Sequence, residues 1–138
     1  MPRSPTSPGR PAAEERGDRS TPGVLIDHAL PLSVRVLFHS EHVVAYRLWT
    51  RSSDREDWSL AFDGDSENGL SDTLSIDAMA SGAAMAFWIG IAGPANTPYD
   101  VGLEFRQKGA QVAGGAIARK GKTNAEGAAE AKGQVVFP

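Results

Sequence analysis

The sequence predicts an all-β protein: a single antiparallel β-sandwich of about eight strands, immunoglobulin-like or jelly-roll in kind. Three observations carry this. Apolar and polar residues alternate with a period of two in six separate runs, and the apolar members are mostly branched or aromatic. The runs recur roughly every ten residues, the spacing of short sandwich strands. Between them lie turn-rich segments such as "RSSDRED", "GPANTP" and "GKTNAEG". A length of 138 residues suits one domain with a real core and is short for two.

The elements follow in order. Residues 1–22 hold five of the nine prolines, and their apolar residues are Met1, Ala12 and Ala13 alone. Such a stretch buries too little surface to offset the entropy of ordering, so a disordered tail is expected, followed by a domain over 23–138. Pro2, Pro5, Pro8 and Pro11 recur every third residue, the spacing of a polyproline helix, without flanking apolar anchors. "SVRVLFHS" then aligns Val34, Val36 and Phe38 against Arg35 and His39. "HVVAYRLWT" aligns Val44, Tyr46 and Leu48 against Val43, Ala45, Arg47 and Trp49. "DWSLAF" aligns Trp58, Leu60 and Phe62, which places Trp58 in the core. "SDTLSID" aligns Leu74 and Ile76. "AAMAFWIGIA" aligns Met85, Phe87, Ile89 and Ile91 against Ala84, Ala86, Trp88 and Gly90. "YDVGLEFRQ" aligns Tyr99, Val101, Leu103 and Phe105. Two weaker strands are expected near Gln111–Arg119 and Ala128–Phe137. "AEGAAEAKG" has helical composition, but Gly127 and Gly133 lie too close together for a stable helix, and strand is expected there.

The run "GKTNAEGAAEAKGQVVF" resembles the closing hairpin of bacterial immunoglobulin-like modules, in which a T-[DN]-x-x-G-x-A tip leads into the last strand. The matching residues are Thr123, Asn124, Gly127 and, one place later than in that pattern, Ala129. The resemblance covers about seventeen residues and implies a sandwich; it carries no functional residues.

Composition narrows function. A net charge of -3 gives no general attraction to nucleic acid or anionic membrane. The absence of cysteine removes disulfides, thiolate metal sites and cysteine nucleophiles together. No run approaches the length of a membrane-spanning helix, and the N-terminus lacks the apolar segment of a secretory signal. A cytoplasmic location is the default expectation, with export by a signal-less route left open.

"DGDSENG" gathers Asp63, Asp65, Glu67 and Asn68, with Asp72 close by, and an irregular Ca²⁺ loop could use them. A helix-loop-helix calcium site is excluded, because its sixth position would be Asn68 rather than glycine and its twelfth Leu74 rather than glutamate. Asp-Gly and Asn-Gly are also strong turn formers, and a turn is the favoured reading. His39, Glu41 and His42 could offer zinc three ligands but more simply form a tight hairpin. "AGGAIARKGKT" ends like a phosphate loop, yet Ala116 stands where that motif needs glycine. No nucleophile elbow, dinucleotide fingerprint or H-E-x-x-H motif is present.

Arg47, Trp49 and Trp88, set among small residues, could form a ligand or partner surface, as could Asn96, Tyr99 and Asp100 in and beside "GPANTPYD". Charge is also uneven. Residues 54–77 hold eight acids and one base, a net of -7, whereas residues 104–138 hold six bases and three acids, a net of +3. The expectation is therefore a non-catalytic β-sandwich module, not an enzyme and without an obligatory cofactor, acting by protein–protein binding or self-assembly. A lectin-like module, Ca²⁺-dependent or not and binding carbohydrate, is the alternative, and a small hydrolase comes third.

Overall fold

The computed structural model describes residues 21–38, 42–66 and 72–138. Residues 1–20 of the expected tail lie outside this set, as do His39, Ser40, Glu41, Glu67 and Asn68. The chain is all-β. Its strands are β1 (Leu32–Phe38), β2 (Val43–Arg51), β3 (Ser59–Ser66), β4 (Asp72–Ile76), β5 (Ala83–Ala92), β6 (Pro98–Gln107), β7 (Ala110–Lys122) and β8 (Ala128–Phe137). They form two packed antiparallel sheets of four strands each: a front sheet in the order β3-β2-β5-β8 and a back sheet in the order β4-β1-β6-β7.

The core is the sum of the inward parities. Leu32, Val34, Val36 and Phe38 from β1 meet Val101, Leu103 and Phe105 from β6 on the back sheet. Facing them are Val44, Tyr46 and Leu48 from β2, Met85, Phe87, Ile89 and Ile91 from β5, and Val135 and Phe137 from β8. Phe105 and Phe137 meet edge to face across the sheets, with ring centroids 5.8 Å apart. The "AEGAAEAKG" stretch enters β8, in register with β5, as its glycines suggested.

Trp58 departs from expectation. The β2–β3 register shifts at Leu48 and Trp49: Leu48 pairs with Phe62 and Trp49 with Leu60, leaving Ala61 as the extra residue of a β-bulge. A bulge reverses parity, so Phe62 stays with the core whereas Leu60 turns to the outer face and is 53% exposed. Trp58 follows Leu60 outward and is half-buried beneath Arg51, whose guanidinium carbon lies 4.3 Å from the ring centroid.

Before β1 the chain works as a strap. The Val24 amide donates to the Val136 carbonyl (2.9 Å), the Val136 amide to the Pro22 carbonyl (3.0 Å), and the Leu25 amide to the Ala113 carbonyl (3.0 Å). Residues 22–25 thus tie edge strand β8 to edge strand β7 and place Val24, fully buried, in the seam. Among the described residues, the first of these backbone contacts is made by Pro22. Gln107 holds the next turn, accepting from the Asp27 amide (2.8 Å) and donating to the Asp27 carbonyl (2.9 Å). His28 follows, its ring nitrogens 2.9 Å from the Met79 carbonyl oxygen and 2.8 Å from that of Pro138.

Candidate functional site

The strand directions bring the C-terminal ends of β1, β3, β5 and β7 to one end of the sandwich. A polar knot holds that end. Thr97 Oγ1 donates to the Pro94 carbonyl (2.8 Å) and Thr123 Oγ1 donates to the same oxygen (2.7 Å). The Thr97 oxygen also lies 2.8 Å from His42 Nε2, a hydrogen bond that joins the ring to the knot. His42 is buried in this knot. Asn124 Oδ1 accepts from the amides of Glu126 and Ala128, both at 2.9 Å, which folds the tip that Gly127 closes at a φ of 79°. This is the physical content of the T-N-x-x-G run.

The acidic stretch is not one loop. Asp63, Gly64, Asp65 and Ser66 belong to β3 and pair with Arg47, Tyr46, Ala45 and Val44; Asp72 already belongs to β4. Strand parity then divides the proposed ligands. Asp63 and Asp65 are exposed on the front face, whereas Asp72 sits opposite core residue Val36 and accepts a hydrogen bond from the Tyr46 hydroxyl (2.9 Å). Glu67 and Asn68 lie outside the described residues. Among the described residues, no three histidine or acidic side chains come together in a way that could hold a metal ion.

Tyr46 reaches Asp72 by crossing Gly64, its partner in register: a Cβ at Gly64 would lie 2.6 Å from the tyrosine hydroxyl. Burial, then the hydrogen bond and negative charge of Asp72, then Asp63 and Asp65, push the phenol up to about 12 from its ordinary 10.0. The neutral form is favoured in the folded state. Its contribution to stability is therefore complete below pH 10 and lost as pH rises from about 10 to about 12. Tyr46→Phe is expected to remove this alkaline loss and to lower stability at pH 7 by about 1–2 kcal/mol, since Asp72 loses its donor. Denaturant unfolding at pH values of roughly 7, 10 and 11.5 checks both effects.

The front face gathers three of the predicted surface residues. Cross-strand rows run Leu60–Trp49–Ala86–Gln134, then Asp63–Arg47–Trp88–Lys132, then Asp65–Ala45–Gly90–Glu130. Trp49 is 4% exposed, so it is part of the floor rather than a contact. Trp88 is half-buried, and the benzenoid half of its indole covers Gly90, where a Cβ would lie 2.6 Å from Cη2. Its Nε1 donates to Glu130 Oε2 (3.2 Å), the Arg47 guanidinium carbon lies 6.0 Å from its ring centroid, and Lys132 pairs with Glu130 at 3.4 Å.

The other predicted surface residues lie elsewhere. Asn96 is in the polar knot, with a φ of 56° and its amide on the Asn124 carbonyl (3.1 Å). Tyr99 points inward across Gly121, and Asp100 lies on the outer face of the back sheet beside Gly102 and opposite Lys120. Sequence reasoning missed Glu130 and Lys132. Their alternation within β8 was the available signal, but their meeting with Trp88 depends on the β5–β8 pairing. Among the described residues, no helix is long and apolar enough to cross a membrane. Fold and surface together define an eight-stranded β-sandwich with a half-buried tryptophan among charged residues on one face. Compared with family models, with curated proteins and with solved structures, the chain finds no match.

Proposed function

We propose that the protein is a non-catalytic β-sandwich module that acts by protein–protein binding, and that its partner is a second copy of itself, met edge to edge. The observation that supports this reading is the placing of charge on the two narrow sides of the sandwich. Acidic residues 54–77 span the β2–β3 connection, β3 and β4, the edge strands of one side, with Asp54, Glu56, Asp63, Asp65 and Asp77 exposed. Strands β7 and β8 form the edges of the opposite side, where Lys120, Lys122 and Lys132 are exposed. An edge strand also offers unpaired backbone groups, so opposite charge and main-chain pairing act in the same direction. Acidic edge against basic edge is a head-to-tail contact, which does not close on two copies. The non-catalytic part of the reading rests on the sequence, which carries no nucleophile elbow, dinucleotide fingerprint or H-E-x-x-H motif.

Sedimentation velocity tests this. At about 20 mM salt the protein is expected to associate with rising concentration, and at about 0.5 M salt, where the screening length is only a few ångströms, to sediment as a monomer. The double variant Lys120→Glu, Lys122→Glu is expected to remain monomeric at low salt with an unchanged melting temperature. A wild-type protein that is already monomeric at low salt sinks the proposal. A second reading, a lectin-like module, is favoured by the seat of Trp88 on the front face.

A further inference from the structure

The two narrow sides of the sandwich are finished differently. On the basic side, the seam between β7 and β8 is filled by Val24, fully buried, and farther along by Arg119, whose guanidinium carbon lies 5.4 Å from the Phe87 ring centroid. On the acidic side, Phe62 from β3 and Leu74 and Ile76 from β4 pack against the core yet stay partly exposed. Among the described residues, no isolated bridge crosses that seam as the strap crosses the other. Each side also carries a leucine in solvent. In the strap, alternation sends Val24 inward and Leu25 outward, and Leu25 is 59% exposed. On the far side, the bulge at Ala61 turns out Leu60, itself 53% exposed.

From this arrangement we propose that Leu25 of one copy docks against Leu60 and the mouth of the β3–β4 seam of the next, forming the apolar centre of a head-to-tail contact. The inference rests on the edge-to-edge reading and identifies what sets its register. Neighbouring strands are antiparallel throughout both four-stranded sheets, so β3 runs opposite to β8 and β4 opposite to β7. A copy displaced sideways without rotation therefore continues both sheets in antiparallel order. The heights agree as well. The row that starts at Leu60 ends at Gln134, two residues from Val136, where Gly23 is bridged. On the back sheet Leu25 is bridged to Ala113, which lies between the pairs Glu104–Ala116 and Arg106–Gln111. That is the level of Phe105, whose row runs through Val34 to Leu74. The strap of one copy thus comes level with Leu60 and Leu74 of the next. Main-chain pairing between copies stops at this height, because the strap already holds the Val136 amide and carbonyl and the Ala113 carbonyl. Side chains must make the contact there, and the two sides offer exposed leucines. Pairing of like edges would instead bring Leu25 to Leu25 and set Lys120, Lys122 and Lys132 against their own copies.

The chain has no cysteine, so a thiol placed at either leucine has no competitor. Full-length Leu25→Cys and Leu60→Cys proteins are mixed at about 20 mM salt and treated with a short bismaleimide. The mixture is expected to give a cross-linked dimer that neither variant gives alone, and the doubly substituted chain a ladder of longer species. In sedimentation, Leu25→Ala and Leu60→Ala are each expected to weaken self-association about tenfold. Their melting temperatures are expected to match the wild type, since both side chains lie in solvent. Three results overturn the leucine contact and leave edge-to-edge association standing: a wild type that associates while the mixture stays uncross-linked; cross-linking as strong within one variant as between the two; or alanine variants that associate as the wild type does. A wild type that is monomeric at low salt overturns both.

Discussion

Replacing Val24 with aspartate is expected to destabilise the domain by on the order of 4 kcal/mol or more and to make it prone to aggregate. Val24 lies in the strap ahead of β1, fully buried between edge strands β7 and β8. A carboxylate there has no partner and must be either desolvated or expelled. Expulsion lifts the strap, and the three backbone hydrogen bonds made by Pro22, Val24 and Leu25 go with it. Both edges are then bare along that stretch, which is the condition for strand-to-strand aggregation. Val24→Ala keeps the backbone bonds and loses only side-chain burial, at about 1.5–2.5 kcal/mol. The contrast separates the seam's apolar filling from its hydrogen-bonded closure, and equilibrium unfolding in urea with light scattering reads both.

Gly127→Ala is the second large effect, expected to be on the order of 3 kcal/mol or more. Two costs coincide at this position. The backbone φ of 79° is one that alanine rarely adopts, and a Cβ would run into the carbonyl oxygen of Gly93. Neither obstacle is a flexible side chain that could step aside. The Gly93 amide donates to the Gly127 carbonyl (2.8 Å), so pushing the two loops apart also breaks one of the bonds that join the β5–β6 and β7–β8 connections. The loss propagates to Thr97, Thr123 and His42, which depend on that juxtaposition. A drop in melting temperature of roughly 10 °C or more is expected, against a change of a few degrees for Gly82→Ala. Gly82 has a φ of 91° but nothing within 4 Å of the added carbon, so it isolates the backbone cost alone.

Much of the fold was legible because alternation is a local property. Each inward set from β1, β2, β5 and β6 could be read directly from period two, and those residues form the core. The failures all involve information held between strands. Nothing within "DWSLAF" announces that Ala61 is extra; the bulge exists only in register with Leu48 and Trp49, and it alone carried Trp58 from the expected core to the surface. The acidic stretch is divided for a related reason. Adjacent carboxylates in sequence resemble a ligand set, but β3 continues through Ser66 with Asp63 and Asp65 on the outer face of the front sheet, while Asp72 belongs to β4 of the back sheet and faces the core. For the aromatic surface, composition identified Arg47, Trp49 and Trp88 together, whereas Glu130 and Lys132 join them only through the β5–β8 ladder.

The pairing of rings with glycines bears on how this sequence can vary. Tyr46 crosses Gly64, Tyr99 crosses Gly121 and Trp88 crosses Gly90; in each pair the ring occupies the volume a side chain would otherwise take. The two members therefore do not vary independently. A larger residue at the glycine is harmful while the ring is present and becomes acceptable once the ring is reduced, so the sign of its effect depends on its partner. Substitution histories through these six positions should run by coupled steps in a fixed order, ring before glycine. A domain rich in such pairs has fewer accessible mutational routes than its composition of small and turn-forming residues implies.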